Sequence, residues 1–280
     1  MSGTKVPGAV THYNLNYGHF QSEVYAEIRR EAFGQDIGQN SWHTADEQDR
    51  FLSWLDLSHG KRLLDVACGV GGPALRIAQL TGCSIAGIDV HEHALKNAAD
   101  LAKECGLGER SEFCAADASR SLPFDDKSFD VVTCIDAINH FPDRLWVLNE
   151  WSRLLKPGGR VLFTDPIIVT GPLSNSEIAV RTSAGFYLVV PRGYDELVIA
   201  ESGLQLLLAQ DVTANMAKIA EARQSARARR RDTLRTIEGE SSFEDEQNLL
   251  ATTAQLAREA RLSRFVFVAA KPAESSHSEP

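Results

Sequence analysis

A chain of 280 residues, 43% hydrophobic and 24% charged, has the balance of an ordinary globular protein and room for one large α/β core with a cap. No apolar run approaches the ~18 residues of a membrane helix, and Met1 to Val10 lead into no apolar stretch, so neither a membrane span nor a secretory leader is expected and a cytoplasmic location is the default. The net charge of -9 disfavours a nucleic-acid partner, which would call for a concentrated basic surface.

Residues 1–12 are polar, and apolar residues then recur at helical spacing from Tyr13 to Phe33 (Phe20, Val24, Ile28), which predicts a helix ahead of the core. Thr44-Ala45-Asp46-Glu47 is a capping-box pattern and predicts a helix from Ala45 to Asp56. The stretch from Lys61 to Val66 reads as a buried strand and Ala74 to Leu80 as a helix, which places Gly69, Gly71 and Gly72 in the turn between them. Strands are expected at Ser84–Asp89, Ser111–Ala116, Phe129–Ile135 and Arg160–Asp165. Helices are expected at His91–Cys105 and Pro142–Leu155, with Pro157-Gly158-Gly159 as a sharp turn.

Beyond Pro166 the pattern predicts helices at Glu177–Val189 and Tyr194–Ser202 and a strand at Leu204–Val212. An arginine-rich stretch from Ala214 to Ile237 is followed by Glu238, Glu240, Glu244, Asp245 and Glu246. Such opposite charge on neighbouring segments suggests two helices that support each other. Phe265 to Val268 is a last strand. Repeated βα units imply a doubly wound, Rossmann-like, mostly parallel sheet of seven strands with an N-terminal helical segment and helical lid insertions. The expected divisions are a cap at 1–56, a core at 57–166, a lid region at 167–262, a final strand at 263–272 and a loose tail at 273–280.

The five cysteines are odd in number and form no C-x-x-C pair, so they read as reduced thiols in structural positions. In open α/β sheets ligands bind beyond the carboxyl ends of the strands. Here Asp65, Asp89, Asp117, Asp136 and Asp165 stand at those ends. The glycine turn lets backbone N–H groups approach a ligand closely. Read as G-x-G-x-x-A with Asp89 twenty residues on, it also fits a dinucleotide fingerprint and so an NAD-dependent dehydrogenase. Against that, Asp65 precedes the glycines, where it can hold a ligand's ammonium. His91 and His93 form H-x-H but lack a third ligand nearby in sequence, and no metal is expected.

The order of motifs resembles the class I S-adenosylmethionine-dependent methyltransferases over Arg62 to Asp165. The matching set is Leu63 to Gly71, Gly87-Ile88-Asp89, Ala116-Asp117-Ala118, Leu122-Pro123-Phe124, Phe129-Asp130-Val131-Val132 and Leu155-Lys156-Pro157-Gly158-Gly159. Ala67 stands where that family usually has glycine. The resemblance implies S-adenosyl-L-methionine as cofactor, with Asp65 and the backbone of Ala67, Gly69 and Gly71 holding its methionine part. Asp89 would accept from the ribose hydroxyls, Val90 would pack on the adenine, and Asp117 and Ala118 would meet the adenine's polar edge.

Asp136-Ala137-Ile138-Asn139-His140 is similar to a segment of small-molecule methyltransferases acting on phosphoethanolamine or glycine derivatives. There a histidine pairs with an N-terminal tyrosine over the cofactor. His140, Asp136 and either Tyr17 or Tyr13 are the implied catalytic positions, and Asp136 is also counted among the cofactor-binding positions. Residues 33–42 look like a cofactor-covering segment. The implied activity is in-line methyl transfer to an amine or hydroxyl of a small-molecule acceptor, and a homodimer is left open. The competing readings are the dehydrogenase, a non-catalytic binding protein on the same fold, and an RNA or protein methyltransferase using the arginine-rich helix.

Overall fold

The computed structural model describes residues 17–183 and 185–273; Tyr13 and most of the two ends expected to be loose lie outside them. In chain order the elements are α1 (Glu23–Phe33), α2 (Ala45–Leu52), β1 (Arg62–Val66), α3 (Gly72–Thr81), β2 (Ser84–Asp89), α4 (Glu92–Glu104), β3 (Ser111–Ala115), β4 (Phe129–Cys134), α5 (Arg144–Leu154) and β5 (Leu155–Val169). There follow α6 (Asn175–Arg181), β6 (Val190–Pro191), α7 (Tyr194–Glu201), β7 (Gln205–Asp211), α8 (Thr213–Arg229), α9 (Arg231–Glu238), α10 (Glu240–Arg258) and β8 (Leu262–Ala270).

The sheet runs β3-β2-β1-β4-β5-β8-β7, and the two-residue β6 pairs with β5 as an eighth strand. Strands β1 to β5 are parallel, whereas β8 is antiparallel to both β5 and β7. The expected seven-strand path is therefore present. Strand order reverses between β1 and β4, which puts the glycine turn at the topological switch point.

Strand residues alternate between two buried faces. Leu64, Val66, Val132 and Phe163 pack under α5 and α7 with Trp151 and Ile199. Leu63, Ile85, Val131 and Leu162 pack against Phe51, Leu75 and Ile77 on the other face. A satellite core joins α1, α8 and α10 through Phe33, Met216, Ile219 and Leu250, and Trp42 reaches into it.

Several boundaries differ from the sequence expectation, each for a local reason. α1 starts at Glu23, with Ser22 in extended geometry at the N-cap position and no side-chain bond, so the helical spacing before it belongs to a separate turn. α5 starts after Asp143, whose carboxylate accepts from Trp146 N–H at 2.9 Å, and so Pro142 precedes the helix instead of opening it. α6 opens on a Ser174–Glu177 capping box and ends at Arg181, far short of Val189, and residues 186–189 belong to no helix or strand ahead of β6. β5 reaches back to Leu155 and runs on through Pro166, with register shifts where Pro157-Gly158-Gly159 and Pro166 interrupt its pairing.

The opposite charges meet, although the arginine-rich stretch expected as one helix breaks at Arg230 into α8 and α9. Arg223 pairs with Glu246, Arg227 with Glu238, and Arg235 with Glu240 and Glu244, while Arg230 reaches Glu27 and Glu31 on α1. These arginines are spent on joining helices.

The connector 34–44 crosses the ends of β1 and β4. It leaves no room over α3's first residue: a Cβ on Gly72 would lie 2.2 Å from the Ile37 carbonyl oxygen and 2.9 Å from Gly38 Cα. Both obstacles are backbone and cannot swing aside. We expect Gly72→Ala to cost about 1–3 kcal/mol in denaturant unfolding and to speed proteolysis within residues 34–44; unchanged stability and cleavage would contradict this close approach.

Candidate active site

The strand ends and the connector enclose a cavity of about 330 Å³. Its floor is the turn after β1, where Ala67, Gly69 and Gly71 have φ of 58°, 54° and 76°. For Ala67 this left-handed geometry costs about 1–2 kcal/mol, which explains why glycine suits the position. Cys68 N–H donates to the Ile88 carbonyl at 3.0 Å and holds the turn to β2. Burial pushes the Cys68 thiol well up, so it stays a protonated, structural group.

Two carboxylates face this turn. Asp89 accepts from Gly69 N–H at 2.9 Å on one oxygen and from His91 N–H at 3.0 Å on the other. Its burial raises its pKa despite those bonds. Asp65 accepts from Thr133 Oγ1 at 2.8 Å, and no cation pairs with it among the described residues. Burial pushes it up to about 7, with Thr133 opposing and Asp89's charge adding to the rise. A buried acid in that state fits a ligand that brings its own positive charge.

Tyr17 stands over the turn. Its hydroxyl would lie 3.0 Å from a Cβ on Gly69, and its ring packs 5.4 Å from that of His91. Burial first, then the charges of Asp89 and Cys68, raise its pKa well above the usual value, so it remains a phenol. Val90 is 60% exposed and Ala118 buried, and both border the cavity. Asp117 also borders it, with its carboxylate accepting from Ser119 N–H at 2.9 Å and pairing with Arg120.

At the other end stand His140, Phe141 and Phe186. His140 Nδ1 donates to the Phe186 carbonyl at 3.0 Å, which selects the neutral tautomer with Nε2 as proton acceptor. Burial lowers its pKa, the Phe186 carbonyl opposes this, and Arg181's charge lowers it further. Among the described residues its ring packs on that of Tyr187, with centroids 4.6 Å apart. Tyr17 shares the cavity but packs at the glycine end. Segment 186–190 is itself anchored: Leu188 N–H donates to the Asn139 carbonyl at 2.7 Å, and Arg144 donates to the Leu188 carbonyl at 2.9 Å. Arg144 is fully buried against Asp165 and Asp195, so that is where the strand-end Asp165 is used.

Asp136 also borders the cavity, with both carboxylate oxygens engaged. One carboxylate oxygen accepts from Arg264 Nε at 2.6 Å and Thr164 Oγ1 at 2.7 Å, and the other accepts from Trp42 N–H at 2.8 Å. Burial opposes ionisation, but Arg264 and these donors outweigh it and hold the carboxyl below its ordinary pKa. Arg264 also donates to Glu47 at 2.8 Å. There burial, with the charge of Asp136 adding to it, outweighs Arg264 and Asn215 and raises the pKa.

Sequence reasoning missed Arg264, Thr133 and Thr164. The one available signal for Arg264 was a charge inside the apolar run Leu262 to Ala270.

Residues 64–163 match the family model described as a methyltransferase domain. The 27-O-demethylrifamycin SV methyltransferase of Amycolatopsis mediterranei (strain S699) is 32% identical over 203 residues, 68% of this chain and 74% of the relative. The chain belongs to the S-adenosylmethionine-dependent methyltransferases. The dehydrogenase reading is thereby set aside, and S-adenosylmethionine is the cofactor of this methyltransferase.

Two solved structures share the fold. Phosphoethanolamine N-methyltransferase 2 of Haemonchus contortus, in complex with phosphomonomethylethanolamine and S-adenosylhomocysteine, aligns with a TM-score of 0.77 at 21% identity, over 93% of this chain and 60% of that one. The [4+2]-cyclase SpnF aligns with a TM-score of 0.72 at 22% identity, over 96% of this chain and 98% of that one.

Replacing Arg264 by methionine would leave two buried carboxylates facing each other. We expect Arg264→Met to lose about 3–5 kcal/mol at neutral pH. Asp136 titrates below its ordinary value in the fold, so its contribution is present above that value and lost as pH falls through its depressed pKa; the deficit should therefore shrink in acid. Equal stability of variant and wild type at neutral pH, by denaturant unfolding, would contradict the buried network.

Proposed function

We propose that this methyltransferase moves the methyl group of S-adenosylmethionine to a hydroxyl or amine of an uncharged, largely apolar small molecule held beside His140, Phe141 and Phe186. The observation that carries this reading is the make-up of one cavity. Asp65, Asp89 and Asp117 border its glycine end, Phe141, Phe186 and a neutral imidazole border the other beside an Asp136 already paired with Arg264, and no lysine or arginine borders it among the described residues. A phosphate-bearing acceptor would enter that wall without a paired charge, which is costly. The rifamycin relative, whose name places its methyl on an oxygen, supports the hydroxyl acceptor.

On this reading Asp65 holds the cofactor's ammonium, and the backbone of Ala67, Gly69 and Gly71 follows its methionine part. Asp89 keeps lone pairs for two ribose hydroxyls, Val90 and Ala118 flank the adenine, and Asp117 meets its amino group. Tyr17 closes over the turn. When bound, the cofactor supplies a methyl already activated for in-line displacement.

The chain then has to align the acceptor, exclude water and take a proton. Alignment is worth up to about 7–11 kcal/mol and a general base about 3–5.5 kcal/mol, so positioning dominates. His140 Nε2 takes the acceptor's proton, while the Phe186 carbonyl fixes the ring. Asp136, bound by Arg264, Thr164 and Trp42, positions the connector instead of taking part in the chemistry. Residues 167–262 supply the lid through Phe186 and Tyr187.

The reading is tested with methyl-labelled S-adenosylmethionine and a panel of neutral hydroxylated macrocycles and polycycles beside phosphoethanolamine. Label in a neutral acceptor is expected; label in phosphoethanolamine alone would overturn it. With that acceptor, His140→Ala should lower kcat about 10²- to 10⁴-fold at unchanged S-adenosylhomocysteine affinity. The acid limb of the wild-type rate should fall below the ordinary imidazole value of about 6.5, since burial lowers the pKa. A limb at or above that value would remove His140 as the base.

Asp65 gives a separate readout. Its folded pKa is raised, so the ligand-free fold is favoured at low pH and loses stability as pH rises through about 7, whereas a bound ammonium needs the ionised form. S-adenosylhomocysteine affinity by calorimetry should rise about ten-fold or more between about pH 5.5 and 7.5, and Asp65→Asn should flatten that rise. A pH-independent wild-type affinity would contradict the assignment.

A further inference from the structure

Arg144, the first residue of α5, is fully buried and does not border the cavity, yet its bonds lead to His140. Its Nη2 donates to the Leu188 carbonyl at 2.9 Å. Leu188 N–H donates to the Asn139 carbonyl at 2.7 Å, and the nearby Phe186 carbonyl accepts from His140 Nδ1 at 3.0 Å. The stretch 186–188 is therefore bonded both to two consecutive residues, Asn139 and His140, and to the guanidinium.

The other end of the guanidinium is clamped. Nη1 donates to Asp165 Oδ2 at 2.6 Å and to Asp195 Oδ1 at 2.5 Å. Asp195 lies in the first turn of α7, so the chain from Leu188 to Asp195, with β6 inside it, is a loop whose two ends are bonded to one side chain. A guanidinium is a rigid planar fork, and fixing Nη1 between two carboxylates also fixes where Nη2 points. The acceptor met by one imidazole nitrogen decides which nitrogen carries the proton. A buried ion cluster adds little net stability after desolvation; what this one adds is placement.

We propose that Arg144 and Asp195 are a positioning pair for methyl transfer: by closing the loop 188–195 on one guanidinium, they hold the Phe186 carbonyl where it keeps the proton on His140 Nδ1. The proposal rests on the reading of His140 as the base. Burial, then the charge of Asp165, push Asp195 up to about 7 against Arg144, so Asp195→Asn stands in for its protonated form. Asp195→Ala instead removes one foot of the loop and leaves Arg144 paired with Asp165.

The test combines turnover of a neutral hydroxylated macrocycle that takes the label, its pH profile, and the imidazole nitrogen shifts of the full chain by NMR, with His140→Ala assigning the His140 signals. Asp195→Ala should lower kcat about ten- to a hundred-fold and leave S-adenosylhomocysteine affinity within about two-fold. Its acid limb should rise towards the ordinary imidazole value of about 6.5 as burial is relieved, and the single Nδ1–H tautomer of the wild type should become a mixture. Asp195→Asn should recover most of the rate and the single tautomer. If Asp195→Ala does not fold, Arg144→Lys, which keeps the buried charge but not the fork, should give the same changes. A rate loss with tautomer and acid limb unmoved would make the pair a purely structural tie, and an unchanged rate and tautomer would remove it from the reaction; either result overturns the proposal. Unchanged turnover in His140→Ala would instead fail the reading of His140 as the base, and the tautomer in Asp195→Ala would still decide the positioning.

Discussion

The structure depends on one buried arginine. Arg264, at 0% exposure, comes from β8, the strand that turns against the parallel set, and its guanidinium meets Glu47 on α2 and Asp136 at the end of β4. Three parts of the chain that are far apart in sequence meet there. Asn215 Nδ2 extends the junction by donating to Glu47 and to the Trp42 carbonyl, which brings in α8. Burying two acids with one base is a poor bargain for stability alone, since well-packed apolar groups often do as well. What the network supplies is register: Asp136 adopts φ of 54°, an uncommon backbone state for aspartate that the surrounding bonds hold in place, and the connector is fixed by Trp42 N–H.

From that junction outward, the cavity divides by charge. Asp65 and Asp89 are buried without a described cation, so the glycine end is prepared for a ligand bearing positive charge and hydroxyl donors. The His140 end is aromatic, and its one carboxylate, Asp136, is neutralised by Arg264. A second buried arginine, Arg144, with Asp165 and Asp195, holds the segment carrying Phe186 and Tyr187. Burial and the charge of Asp165 push Asp195 up to about 7 against Arg144, as expected when two acids share one base. Each wall of the cavity is thus tied to the sheet through a buried guanidinium.

Much of this was legible in the sequence because the signals were local. The strand–glycine–helix turn, the strand-end acids and the opposite charges of α8 and α10 depend on spacing of a few residues, and all are where the pattern puts them. What was not legible depended on long-range pairing. Asp136 looks like the other strand-end acids until Arg264, 128 residues away, is brought against it. The shortened α6 shows the limit of periodicity: apolar residues 186–189 continue a helical pattern, but Leu188 is bonded to Asn139 and Arg144 instead of to a helical turn.

The most direct test is hydrogen–deuterium exchange of the full chain with and without S-adenosylhomocysteine. If the connector closes over a ligand seated on the glycine turn, backbone amides in residues 35–44 should gain protection together with those in 67–72 and 89–91. Saturating ligand that protects the turn and leaves 35–44 unchanged would contradict the account.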